Sequence, residues 1–110
     1  MPPKPEEVNN LMMYFVYNYN HDENEDIFYK IAQYHLEFES IHPFEDGNGR
    51  CGRLLINFEL LKNDIAPIVI LKEDRSKYFE FLKNKNVEGL AKFLKELSVN
   101  EEERLRTFGF

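Results

Sequence analysis

A chain of 110 residues with 43% hydrophobic side chains has the size of one domain and is apolar enough to fold around a core. Its 20 acidic and 14 basic residues leave a formal net charge of −6, the opposite of the footprint that nucleic acid or an anionic membrane surface selects. One cysteine, Cys51, excludes an intrachain disulfide and a Cys-rich zinc site.

The first element is a helix. Pro5-Glu6-Glu7 suits a helix start, and Val8, Leu11, Met12, Phe15, Val16 and Tyr19 follow at three- and four-residue spacing as one apolar face. The polar stretch from Asn18 to Glu25 reads as a connection. A second helix is expected from about Asp26 to Ser40, with Ile27, Ile31, Tyr34 and Phe38 as its stripe and His35 beside it. It should end at His42-Pro43, because the residue before a proline is pushed out of the α region. Glu45 to Gly49 is a tight loop of turn formers. A third helix begins near Gly49 or Arg50, buries Leu54, Leu55, Phe58 and Leu61 with Leu60 at the margin, and closes at Asn63-Asp64. Ile65 to Leu71 is the longest apolar run; it holds Pro67 and is far too short to cross a bilayer. A fourth helix covers about Glu73 to Lys85 with Tyr78, Phe79 and Leu82 inward. A fifth covers about Val87 to Leu97 with Leu90, Ala91, Phe93, Leu94 and Leu97 inward. The acidic run from Glu101 is either solvated or opens a last short helix. No segment alternates with period two, so the expected fold is an all-α bundle of five to six helices, one domain over residues 1–110. No signal-like apolar stretch follows Met1-Pro-Pro-Lys-Pro, which points to a soluble cytoplasmic protein.

The stretch His42-Pro-Phe-Glu-Asp-Gly-Asn-Gly-Arg-Cys-Gly-Arg53 concentrates the chemistry. A loop with two glycines runs straight into a helix whose first amides have no intrahelical partner and sit at the positive end of the dipole. That is an anion site suited to phosphate. Gly47 and Gly49 let the backbone approach a ligand, and Asn48 between them tolerates a left-handed conformation. Arg50 and Arg53, three apart, share a face and present two guanidinium forks to phosphates. Asp46, just ahead of this cradle, suits Mg²⁺ held between a carboxylate and phosphates. His42 is placed to accept a proton near neutral pH. The spacing of a Walker loop is absent. Taken singly, each feature has an ordinary structural reading: an interhelical turn, a capping histidine, a solvated arginine face. Their conjunction within twelve residues points to transfer chemistry at a nucleotide phosphate.

This stretch resembles the Fic motif, H-x-F-x-(D/E)-G-N-G-R-x-x-R, and matches every defined position from His42 to Arg53. Tyr34 to His42 is similar to the helix that leads into the Fic loop, Leu54 to Leu61 to the helix that follows, and Asp74 to Leu82 to the next block of the family, so that the resemblance covers about Pro2 to Leu97. It implies an all-α Fic (Fido) core that transfers AMP from ATP to a hydroxyl of a target protein. By that resemblance His42 is the general base toward a target Ser, Thr or Tyr, and Asp46 holds Mg²⁺ across the α- and β-phosphates. Gly47, Asn48, Gly49 and Arg50 cradle the phosphates, Arg53 reaches the γ-phosphate, and Phe44 anchors the loop. Phe79 and Asn86 lie where family members contact adenine. Family variants that transfer phosphate lose Gly-Asn-Gly and the second Arg; both are kept here, which favours adenylylation.

Family members also carry a β-hairpin flap upstream of the first core helix, and this chain starts at the Pro-Pro segment that normally follows it. The expectation is a core lacking the flap. A second reading therefore remains, a nucleotide-binding regulatory or toxin–antitoxin module, with the inhibitory helix supplied by a partner protein. Ser98-Val-Asn-Glu-Glu102 fits part of the family's inhibitory pattern, (S/T)-x-x-x-E-(G/N), but Glu103 stands where Gly or Asn belongs, so it reads as a chance match in an acidic run. His21 and His35 fit no common metal spacing and read as a loop and a helix-packing histidine. Cys51 reads as a small residue at a variable motif position.

Overall fold

The computed structural model describes residues 4–41 and 48–107, with Pro5, Asn48 and Gly49 described by their backbone alone. The helix after the first loop is the axis of the molecule. Asp26 caps it, its Oδ1 accepting the Tyr29 N–H at 3.2 Å, which satisfies one of the amides a helix start leaves open. This helix, α2 (Ile27–Ile41), buries Ile31, Ala32, Tyr34, His35, Leu36, Phe38 and Ile41, so it is covered on several sides. It packs against α1 (Pro5–His21), α3 (Asn48–Lys62) and α5 (Val87–Thr107). Between α3 and α5 come a single 3-10 turn (Lys72–Asp74) and α4 (Arg75–Asn84). The described residues contain no strand, and the chain is an all-α bundle. Ile31, Ala32, Leu36, Ile56, Leu60, Ile68, Tyr78, Leu90, Ala91, Phe93 and Leu94 form one continuous core.

Four expectations need correction. On α1, Val8, Met12, Phe15 and Tyr19 are half-buried, but Leu11 and Val16 are exposed. The helix packs chiefly on α2, through Phe15 and Tyr19 against Tyr34 and Phe38, so a narrow stripe suffices. On α3, Leu54 and Phe58 are 68% and 63% exposed, and Leu55 and Leu61 also face solvent. The inward stripe is instead Gly52, Ile56 and Leu60. Two stripes satisfy helical spacing there, and packing chose the one that opens with glycine, because a helix approaches its neighbour most closely where a side chain is missing. On α4, Tyr78 is buried but Phe79 is 56% exposed. Tyr78, Phe81 and Leu82 share one face at three- and four-residue spacing, and Phe79 lies a quarter-turn away. Lastly, α5 does not stop near Leu97 but runs on to Thr107 through the acidic run. Neither Gly nor Pro occurs between Leu97 and Thr107 to end it. Arg104 donates to Glu101 Oε2 at 2.9 and 3.1 Å, and Arg104 and Arg106 complement the negative end of the helix.

Two helix ends are built alike. After α3, Asp64 takes a left-handed φ of 60°, and Asp64 and Ile65 donate to the carbonyls of Leu61 and Leu60. After α4, Lys85 takes a φ of 51°, and Lys85 and Asn86 donate to Leu82 and Phe81. Both are Schellman closures made without glycine. Beyond α3, Asn57 holds the connection with a double hydrogen bond. Its Oδ1 accepts the Ile68 N–H at 2.9 Å, and its Nδ2 donates to the Ile68 carbonyl at 3.1 Å.

Candidate active site

Of the residues singled out in the motif, His42, Phe44, Asp46 and Gly47 lie outside the described residues. The rest sit at the start of α3. The helix begins at Asn48, so Asn48, Gly49 and Arg50 form its first turn, the place where backbone N–H groups lack intrahelical partners. That turn carries no acidic side chain to occupy them. Arg50 is exposed and Arg53, one turn on, is half-buried. Cys51 between them is a half-buried free thiol.

Beneath this turn lies a buried polar cluster that the motif did not indicate. Gly52 faces α2 so closely that a Cβ there would collide with the Glu39 carboxylate and come within 2.9 Å of His35 Cε1. His35 is 4% exposed, and its Nε2 pairs with the Tyr78 hydroxyl at 2.6 Å. Burial lowers the His35 pKa to about 4; the Gly52 backbone opposes this less strongly, and the charge of Arg53 adds a smaller lowering. The imidazole is therefore neutral near pH 7, and its 3.9 Å approach to Glu39 Oε1 is a contact with a carboxylate rather than an ion pair. Burial, and then the charge of Glu39, push the Tyr78 pKa up to about 12. The positive charge of Arg53 opposes this. Three elements thus meet under Arg53: α2 gives His35 and Glu39, α3 gives Gly52, and α4 gives Tyr78. Helix periodicity marked His35 and Tyr78 only as packing residues. The one signal available was Gly52 itself, a residue that costs a helix about 1 kcal/mol relative to alanine unless close packing needs it.

The two residues expected at adenine lie on the α4–α5 side. Phe79 presents its ring to solvent, 5.3 Å from that of Tyr78. Asn86 caps α5, its Oδ1 accepting the Gly89 N–H at 2.9 Å. Its carbonyl is thereby engaged, and the amide nitrogen is the part that can donate to a base. Other candidates resolve as packing. His21 donates from Nδ1 to the Tyr17 carbonyl at 2.8 Å and stacks on that ring, at the end of α1 rather than in the following loop. Ser98 is buried, its hydroxyl directed at the Ala66 carbonyl 3.5 Å away, while Glu102 is exposed. Among the described residues no three His, Cys, Asp or Glu side chains are grouped to hold a metal ion, and no helix is long and apolar enough to cross a membrane.

Comparison with known proteins fits this arrangement. The model of the Fic/DOC family matches residues 1–60. The protein adenylyltransferase Fic of Drosophila virilis is 36% identical over 107 residues, which cover 96% of this chain and 22% of that protein. Its namesake from Drosophila mojavensis is 34% identical over 107 residues, 96% of this chain and 21% of that protein. That from Drosophila sechellia is 41% identical over 71 residues, 64% of this chain and 14% of that protein. The chain spans about a fifth of the length of the curated relatives that it matches end to end. A family model that covers more than half of the chain, and relatives aligned along nearly all of it, agree with the helical core in one conclusion: the chain belongs to the Fic/DOC family.

Proposed function

We propose that this chain is the catalytic core of a protein adenylyltransferase, which transfers AMP from ATP to a Ser, Thr or Tyr hydroxyl of a target protein. The observation that carries this reading is the start of α3 at Asn48, with Arg50 and Arg53 on its first turns and no acid among the open amides. The name of the relatives, protein adenylyltransferase, supports it.

In this reading His42 takes the proton of the target hydroxyl. The oxygen then bonds to the α-phosphorus, the α–β bridging P–O bond breaks, and pyrophosphate leaves with the electron pair. The amides around Gly47, Asn48 and Gly49, with Arg50, hold the phosphates, and Arg53 holds the γ-phosphate. Phe79 packs on adenine and the Asn86 amide nitrogen donates to it. One carboxylate, Asp46, is the donor set expected for Mg²⁺, which keeps its waters and takes its other ligands from substrate phosphates. Bound there, the ion would neutralise charge on the α- and β-phosphates.

Incubation with labelled ATP, Mg²⁺ and a cell lysate tests the reading. Label on protein should derive from the α-phosphate, disappear with EDTA and be abolished in His42→Ala. Equal labelling by that variant, or label from the γ-phosphate alone, would reject the chemistry. ATP binding without labelling by the wild type would leave a nucleotide-binding module.

A further inference from the structure

We propose that the cavity between α1, α2 and α3 is a binding site for a small neutral alcohol, whose hydrocarbon body fills the cavity and whose hydroxyl accepts a hydrogen bond from Tyr19. The inference stands apart from the nucleotide reading above and does not need it.

Both α1 and α3 pack on α2 but hardly on each other, and the gap between them leaves a cavity of about 80 Å³. Phe15 and Tyr19 of α1, Ile31 and His35 of α2, and Leu55, Ile56 and Glu59 of α3 stand in its wall. The wall is almost wholly apolar, which favours hydrocarbon over water. Leu55 is 43% exposed, so the cavity opens to solvent beside it. Two residues of this wall also carry buried polar atoms with no hydrogen-bond partner, Tyr19 Oη and His35 Nδ1. Such atoms cost free energy that native structures rarely leave unrecovered. That both belong to the wall of one cavity points to an occupant that brings its own polar group.

The chemistry of that occupant follows from the wall. Water satisfies polar atoms but gains nothing from apolar walls, and a pure hydrocarbon gains from the walls but leaves the polar atoms unpaired. A molecule with an apolar body and one hydroxyl meets both demands. A hydroxyl accepts as well as donates, so it can take the Tyr19 proton, and it matches His35 Nδ1 in either tautomer. Charge is disfavoured from two directions. An anion would meet the Glu59 carboxylate on the same wall, and a cation would shed its hydration against Phe15, Ile31 and Ile56. Size is the last limit. A cavity of about 150 Å³ holds a six-carbon ring, so by proportion about three or four non-hydrogen atoms fit here, the size of isopropanol.

Methyl NMR of the wild-type protein without nucleotide, titrated with isopropanol, tests the site. The signals of Ile31 and Ile56 should move and saturate, with a dissociation constant on the order of 10 mM, while that of Ile70, outside the wall, stays in place. The ligand's methyl protons should show nuclear Overhauser contacts to the Phe15 ring. Failure to saturate below about 1 M, or equal movement of Ile70, would mean a solvent effect only and would overturn the proposal. Two probes of the same shape fix the chemistry. Isopropylammonium should bind at least about tenfold more weakly than isopropanol, and equal or tighter binding would overturn the neutral class. Tyr19→Phe keeps the ring contacts with Phe15 and Tyr34 and has no hydroxyl partner to lose, so its melting temperature should not fall. It should weaken isopropanol by about three- to tenfold and leave isopropyl chloride, which has no hydroxyl, unchanged. Equal changes for the two ligands, or none, would overturn the role of Tyr19.

Discussion

Burial keeps the His35 ring neutral, and this gives a single residue a measurable hold on stability. In the unfolded chain the imidazole protonates near its ordinary 6.5, in the folded protein only near 4. Between those values the unfolded state binds the extra proton. The stability contributed by neutral His35 is therefore complete above pH 6.5 and is lost as pH falls toward 4. From pH 7 to pH 5 the loss attributable to this one ring should be about 2 kcal/mol. Urea unfolding of wild type and His35→Gln at both pH values isolates it, since other groups titrate in both proteins. The variant should be less stable at pH 7 but lose less on acidification. Equal losses would place the ring in water. His35 was legible as a packing residue, since it follows the α2 stripe. Its link to Tyr78 was not, because a partner 43 positions away leaves no mark on local spacing.

Helix existence was legible throughout, and helix registers and ends less so. The three- and four-residue spacing on α2 identified Ile31, Tyr34 and Phe38, all of them buried. On α3 the same rule chose Leu54 and Phe58, because it scores apolar side chains and cannot score Gly52, whose value lies in having none. At Asn84-Lys85-Asn86 the break was expected, and the structure supplies its form: a left-handed Lys85 whose amide and that of Asn86 tie back to α4. A left-handed residue with a Cβ is strained by about 1–2 kcal/mol, and glycine returns part of that as unfolded-state entropy. Lys85→Gly should stabilise the protein by about 0.5–1 kcal/mol, read as a rise in the melting temperature of a few degrees. Asp64→Gly, at the equivalent closure of α3, should gain less, because aspartate visits that region more readily. A fall in melting temperature for Lys85→Gly would show that its side chain has a contact worth more than the strain. The candidate site divides in the same way. The motif from His42 to Arg53 was legible as a conjunction of residue types in one stretch, whereas Glu39, Gly52 and Tyr78 come together only once three helices have packed.

Across the whole molecule the core runs between α2 and α5, with Leu90 and Leu94 entirely enclosed, while large apolar side chains of α1 and α3 remain at the surface. Leu94→Ala should therefore cost about 3 kcal/mol, a large share of the stability of a domain this size. Phe58→Ser on the outer face of α3 should cost under about 0.5 kcal/mol, although the sequence pattern alone ranks the two positions alike. Urea midpoints at constant slope decide between them. A costly Phe58→Ser would restore the register first expected from spacing. The order in which this architecture assembles follows from the Asn57 clamp. Its amide presents a donor and an acceptor, as a peptide group would, and meets Ile68 only 11 residues along the chain. Closing so short a loop sacrifices little chain entropy, whereas joining α2 to α5 must close a loop several times longer. The turn after α3 is thus able to form while most of the chain is still searching. By the same reasoning the docking of α5 onto α2, which also carries α4 and Tyr78 into place, is the step expected to come late in folding.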